Sequence, residues 1–386
     1  MRGKVNLVAA AFALTALTYG LARFAYGLML PDIRRDLAID AAGAGWIGGG
    51  AFAAYCLGIG ATFMVGTKFS SRQQTVVAGI LAVSGLALAA SAASAWTLGL
   101  AMALAGLSTG LTSPPLATAV AQTFDSMQRP RANGAINAGT AAGIIFSGVA
   151  VILFPGSWRG LYILFASIGA GVSVWLIFVM PQRANDDQTS RVSLQHLSRV
   201  GTAKLCISAL LAGAASTAVW TFGANVLRED AHFTDVQIAT AWIVLGVAGI
   251  VGIGTGILTG RFGTARVHRF AIGGMALSLV GLALAPQAPW LGFAVMAVFG
   301  FAYIVSSGVF LLWGIELYAD QPAFGLGLPF LMLALGQTIG APLFGTLWDN
   351  MGSAPALGCF AVLMCTALLW SPGPAAPLWL HRPVAG

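Results

Sequence analysis

The chain has 386 residues, 58% of them hydrophobic and 8% charged, with a mean hydropathy of +0.85 and a formal charge of +7. Soluble domains carry roughly a quarter charged residues, so this composition excludes a water-soluble fold. The cations are spread over short loops instead of forming one face, which excludes a nucleic-acid surface.

Apolar stretches of about 18 or more residues, enough to span ~30 Å of hydrocarbon, recur along the whole sequence, which neither a signal peptide nor a single anchor explains. They are contiguous, as at 76–90 and 163–179, so helices are predicted and a β-barrel is not. Breaks at charged, Pro- and Gly-rich stretches place twelve spans near residues 5–30, 43–66, 75–95, 97–121, 132–154, 160–181, 204–227, 238–260, 269–286, 290–315, 324–348 and 354–371. Of the 19 Lys and Arg, four (Arg34, Arg35, Arg159, Arg228) fall on one side, Arg23 falls within the membrane, and the other 14 share the side of the N-terminus. The positive-inside rule therefore predicts that both termini are cytoplasmic.

Span 1 carries Arg23 about seven residues before Pro31, roughly 10 Å of helix from its outer end at ~1.5 Å per residue. On an α-helix Thr15, Tyr19, Arg23 and Tyr26 share one face, with two phenols flanking the guanidinium. Two readings stand side by side. Arg23 faces a central cavity and binds a carboxylate or similar anion, or it reaches outward, to carbonyls or to Asp32, and pins the helix. No Asp or Glu stands inside a span; Asp32 and Glu316, at the ends of spans 1 and 10, are the candidates for coupling to a proton.

Span 4 contains 106-GLSTG-110, which fits G-x-S-x-G, yet no strand-turn-helix or base accompanies it and no enzyme is expected. Pro114 and Pro115 are predicted to kink span 4, and Pro329 and Pro342 span 11. Span 5 presents Asn133, Asn137 and Thr140 on one face; Trp220 and Asn225 on span 7, Tyr303 on span 10 and Gln337 on span 11 complete the polar set. These groups serve either solute binding or hydrogen bonds between helices, and Trp220 also fits an interfacial anchor. Glycines such as Gly139 and Gly143, or Gly336 and Gly340, allow close helix approach. The string 252-GIGTG-256 has no P-loop lysine after it. Cys56, Cys206, Cys359 and Cys365 are isolated and the four histidines lie in loops or at helix ends, so neither metal nor cofactor is expected.

A shift of 196 residues aligns Gly27 with Gly223, Trp46-Ile47 with Trp242-Ile243, and Gly50 with Gly246; a shift of 193 pairs Gly134 and Gly143 with Gly327 and Gly336. This indicates an internal duplication: residues 1–181 and 204–386 form two six-span halves joined by a polar connection at 182–203. Such repeats place a binding site between the halves near mid-membrane.

The duplicated twelve-span plan resembles the major facilitator superfamily. The loop 256-GILTGRFGTAR-266 is similar to the family's G-x-x-x-D-x-x-G-R loop at Gly256 and Gly263, with Gly260 where the acid belongs. The loop 66-GTKFSSRQQ-74 keeps Arg72 but has Lys68 and Ser71 in place of Asp and Gly, and 316-ELYADQPAFGLG-327 resembles the Glu-initiated loop after span 10. Met102 stands where the family's span 4 carries Arg, and R-F-x-Y in span 1 is similar to a group of bacterial carriers.

The resemblance implies an all-α membrane protein of twelve transmembrane helices in two pseudo-symmetric six-helix bundles. Its cavity would be lined from spans 1, 5, 7, 10 and 11. The expected function is a secondary or facilitative transporter of a small organic solute in the cytoplasmic membrane, with an organic anion as the first reading. Efflux of drugs or metabolites through an aromatic cavity, and a non-transporting receptor on the same fold, are the alternatives. Expected partners are the solute, the lipid bilayer and, for coupled transport, a proton.

Overall fold

In hydrocarbon each backbone amide needs a partner within its own segment, which favours helices. A computed structural model describes residues 2–65, 68–182 and 199–373, and all regular structure among them is helical. The first bundle comprises α1 (Arg2–Leu37), α2 (Ala41–Val65), α3 (Ser71–Ala90), α4 (Ala95–Thr123), α5 (Arg129–Leu153) and α6 (Trp158–Val179). The second comprises α7 (Thr202–Glu229), α8 (Asp235–Val251 and Thr255–Phe262), α9 (Thr264–Leu284), α10 (Trp290–Leu317), α11 (Pro322–Met351) and α12 (Ser353–Thr366). Much of the expected inter-bundle connection and tail, residues 183–198 and 374–386, lies outside the described residues.

Ten of these helices are long and apolar enough to cross a bilayer. The two segments of α8 bend by 54° at the 3-10 turn Gly252–Gly254, and counted together as one span they make the eleventh. The expected twelfth span is shorter than predicted: α12 and the 3-10 turn Ala367–Leu369 after it make 17 residues, roughly 25 Å at ~1.5 Å per residue. Helix α4 breaks at Leu111–Thr112, just ahead of Pro114 and Pro115, where proline removes helix hydrogen bonds.

The two bundles repeat one packing scheme. In the first, α1 packs on α5, α2 on α4, and α3 on α4 and α6; in the second, α7 packs on α11, α8 on α10, and α9 on α10 and α12. Between them α2 packs on α11 and α5 on α8, a pairing that maps onto itself when the bundles are exchanged. Gly143 and Gly336, matched by the 193-residue offset, have the same task. A Cβ on Gly143 would lie 2.4 Å from the Ala16 carbonyl oxygen of α1, and one on Gly336 2.0 Å from that of Leu210 in α7.

Gly336→Val is therefore expected to destabilise the second bundle, since the overlap is with backbone. Overpacking of this kind costs about 1–3 kcal/mol or more. A lowered unfolding temperature in detergent checks it, against Gly358→Val, where a Cβ meets nothing within 4 Å, as the unperturbed control.

The turns at 38–40, 154–157, 230–234 and 352 share one end of the molecule, the distal end. Arg2 and the turns at 124–128, 263 and 318–321 share the other, the proximal end.

Candidate functional site

Arg23 lies in a nine-residue π-helical stretch, Ala16–Phe24, inside α1. At its close the Ala25 amide donates to the Gly20 carbonyl, five residues back, in place of an α-helical hydrogen bond. Such wide turns shift the register of the residues beyond them and recur at functional positions. They also explain why one predicted neighbour is elsewhere. Tyr26 leaves the face that α-helical spacing assigns it, and its hydroxyl donates to the Ala44 carbonyl in α2 at 3.0 Å.

The guanidinium spans the boundary between bundles. Arg23 Nη2 donates to Gln337 Oε1 of α11 at 2.8 Å. The guanidinium carbon is 4.4 Å from the Tyr55 ring centroid, 4.7 Å from Phe52, 5.1 Å from Phe24 and 5.9 Å from Tyr19. Its Nε is buried without a hydrogen-bond partner. Among the described residues Arg23 takes part in no ion pair. Asp32, the outward partner expected on the alternative reading, instead binds Arg35 at 2.8 Å.

An arginine at mid-bilayer costs about 2.5–3.5 kcal/mol on insertion scales. Each ring face offsets about 0.5–2 kcal/mol of that. Rings solvate the cation without cancelling its charge, so an anion entering the site meets a full positive charge in a medium of low dielectric.

Around it stands a second layer. Gln337 Nε2 donates to Ser216 Oγ and to the Tyr303 hydroxyl, both at 3.4 Å. Trp220 lies against Phe24 with ring centroids 4.1 Å apart and planes tilted by 31°, and meets Tyr303 edge-on at 5.0 Å. The Tyr19 hydroxyl pairs with Ser113 Oγ of α4 at 2.8 Å, and its ring meets Tyr55 edge-on at 6.3 Å.

Of the residues singled out from the sequence, the structure brings Arg23, Tyr19, Trp220, Tyr303 and Gln337 together. Asn225 is buried toward the distal end, where its amide donates to Glu229 at 2.8 Å. Asn133, Asn137 and Thr140 lie on the proximal part of α5. Asn137 is exposed one turn before Ala141, and from there the same stripe, through Ile144, packs on Gly246 of α8. Asp32 sits near the distal end and Glu316 is exposed at the proximal end, both remote from the contacts of Arg23. His268, expected in a loop or at a helix end, lies near the start of α9 and is buried there: its Nε2 is 3.2 Å from Ser208 Oγ, between the rings of Phe310 and Trp313. Phe52, Tyr55 and Ser216 are additions; Phe52 is one apolar residue among many, whereas the hydroxyls of Tyr55 and Ser216 in apolar helices are the signal that could have found them.

The bundles are joined by Arg23–Gln337, by Phe24–Trp220, by Arg34–Glu229 at 3.0 Å, by Arg34 over the Trp348 ring at 5.6 Å, and by Asp349 on the amides of Ala41 and Ala42. All these links lie level with Arg23 or distal to it. On the proximal side Tyr19 is half-buried and Asn137 is exposed.

Two pseudo-symmetric helical bundles meet around a half-buried cation that has no ion-pair partner among the described residues, and the links between them lie level with it or on one side of it, as in a membrane carrier of small solutes. The chain belongs to the Major Facilitator Superfamily, whose sequence model matches residues 12–328. It is 25% identical over 370 residues to human Monocarboxylate transporter 11, a match covering 91% of this chain and 78% of that protein. Its fold is similar to that of the nucleoside transporter NupG, with a TM-score of 0.78 and 16% identity over 96% of this chain and 98% of that one. It is also similar to the D-xylose-proton symporter, with a TM-score of 0.73 and 15% identity over 95% and 97% of the two chains. A bacterial homolog of the human lysosomal transporter Spinster, in an inward-facing and occupied conformation, matches with a TM-score of 0.74 and 13% identity over 96% of each chain.

Proposed function

We propose that this transporter carries a small organic anion whose carboxylate binds Arg23, by alternating access of the bundles 1–181 and 204–386. One observation carries the reading: a guanidinium held at the bundle boundary by four rings and one amide oxygen, with no carboxylate paired to it among the described residues. The relative named for monocarboxylates agrees in charge. Trp220, Phe52 and Tyr55 supply apolar walls for the body of the solute, which favours acids with an aliphatic or aromatic part over compact polar ones.

The excess of Lys and Arg at the proximal end supports a cytoplasmic location for that end and for both termini, in the cytoplasmic membrane. On this orientation the structure is the state closed to the outside, with Arg23 reached from the cytoplasm. Protons enter with the acid itself or through Asp32 or Glu316, because among the described residues no acidic side chain pairs with Arg23.

Flux into proteoliposomes tests the reading across organic acids, amino acids, sugars and dyes, with and without a pH gradient. Organic acids are expected to move, and to move several-fold faster when the outer solution is acidic. Movement of sugars or cationic dyes with no movement of acids would overturn the anion assignment.

A further inference from the structure

The distal closure contains a contact that nothing at the substrate site requires. Helix α2 begins at Ala41, and its first amides have no intrahelical acceptor. Asp40, next before it in the chain, accepts from Ala44 N with its carbonyl at 3.1 Å and from Gly43 N with its side chain at 2.7 Å. The other two amides are satisfied from the opposite bundle: Ala41 N donates to Asp349 Oδ1 at 3.1 Å and Ala42 N to Asp349 Oδ2 at 2.7 Å. A carboxylate at a helix N-terminus is favoured by both its hydrogen bonds and the helix dipole.

Asp349 ends a stripe on α11 that faces the first bundle at intervals of four residues. Gln337 holds Arg23, Ala341 lies against Gly45, Gly345 lies against Ala41, and Asp349 caps α2. A Cβ on Gly45 would stand 2.4 Å from the Ala341 carbonyl oxygen, and one on Gly345 2.1 Å from that of Ala41. The backbones of α2 and α11 are thus in direct contact from the substrate site to the cap. The pseudo-symmetric pair differs. Helix α8 is capped within its own bundle by Thr234 and Gln237, and the end of α5, 153-LFPGS-157, offers no acid.

We infer that Asp349 is the latch of the distal gate: it holds α11 to the start of α2 while the distal end is closed, and releases it when that end opens. The inference rests on the alternating-access reading. In the open state the amides of Ala41 and Ala42 pass to water, so removing the latch shifts the equilibrium toward distal opening without touching Arg23.

The test uses Thr221→Cys as reporter in a protein whose four native cysteines are replaced by serine. Thr221 is buried at the bundle boundary, and a Cβ on Gly48 would lie 3.2 Å from it. The quantity read is the rate of reaction with a charged, membrane-impermeant methanethiosulfonate added at the distal face. Asp349→Asn is expected to raise that rate about tenfold, the scale of losing a helix cap, and Asp349→Glu by less. Ala42→Pro removes one donor at a first-turn position that tolerates proline; it should raise the rate similarly, with no further gain in the double variant. Asp230→Asn, whose carboxylate serves Ser353 within the second bundle, should leave the rate unchanged. Parent-like rates for Asp349→Asn and Ala42→Pro, or an equal rise for Asp230→Asn, would overturn the latch while leaving alternating access intact. A parent reporter whose rate ignores a transported solute would instead remove alternating access, and the latch with it.

Discussion

Arg23→Ala is expected to weaken binding of an organic acid by about a hundred- to a thousandfold while the protein still purifies as a folded carrier. The magnitude is that of the hydrogen bonds between guanidinium and carboxylate. Charge-assisted hydrogen bonds contribute about 1.5–3 kcal/mol each, and about 1.4 kcal/mol is a tenfold change in affinity. Folding survives because among the described residues Arg23 makes no ion pair, and its hydrogen bond to Gln337 leaves an amide that still meets Ser216 and Tyr303. Arg23→Lys keeps the charge but loses the planar fork, and is expected to retain part of the affinity. Gln337→Glu is the sharper variant: it places a carboxylate where the amide oxygen now lies 2.8 Å from Nη2. The cation then has an internal partner, and acid binding should fall as far as in Arg23→Ala. Calorimetric titration with a transported acid measures all three; unchanged affinity in Arg23→Ala and Gln337→Glu would contradict the assignment.

Gly27→Val is expected to abolish flux yet leave acid binding in place. A Cβ at Gly27 would lie 1.9 Å from the Trp220 carbonyl oxygen, a backbone atom of the opposite bundle. No rotamer change relieves that overlap, so the bundles cannot meet distally and the carrier remains open there. The buried reporter Thr221→Cys should become reactive from the distal face at the same time. Gly50→Val, on α2 with nothing within 4 Å of its added Cβ, should transport like the parent. Parent-like flux in Gly27→Val would show that distal closure is not part of the cycle.

Much of the fold and part of the candidate site were legible from residues alone, because hydrocarbon imposes strong rules. Contiguous apolar runs announced the helices, and Arg23 stood out as a charge that lipid does not tolerate. Gln337, Tyr303 and Trp220 were visible for the same reason, as polar groups in apolar helices. Tyr26 was misplaced because the α-helical period fails through a π-helical stretch, and nothing in 16-ALTYGLARF-24 signals the change of period. Phe52 escaped notice because an apolar ring in a spanning helix is ordinary until it is found over a cation, and Tyr55 because span 2 was not among the spans expected to line the cavity. The repeat was legible, but equal positions were not equal environments. Trp46 is 69% exposed, whereas Trp242, aligned with it, is fully buried and meets Trp220 edge-on. Asp349 gave no signal because its significance lies in two amides more than 300 residues away in the chain.

Cross-linking across the distal gate tests the central claim most directly. Arg34 and Glu229, paired at 3.0 Å between the bundles, are replaced as Arg34→Cys and Glu229→Cys in the protein without its native cysteines. Organic-acid flux into proteoliposomes is then measured before treatment with a short bifunctional methanethiosulfonate, after it, and after reduction. Alternating access predicts that flux falls to background once the bundles are tied and returns when the link is cut; flux continuing at the untreated rate through linked protein would contradict it.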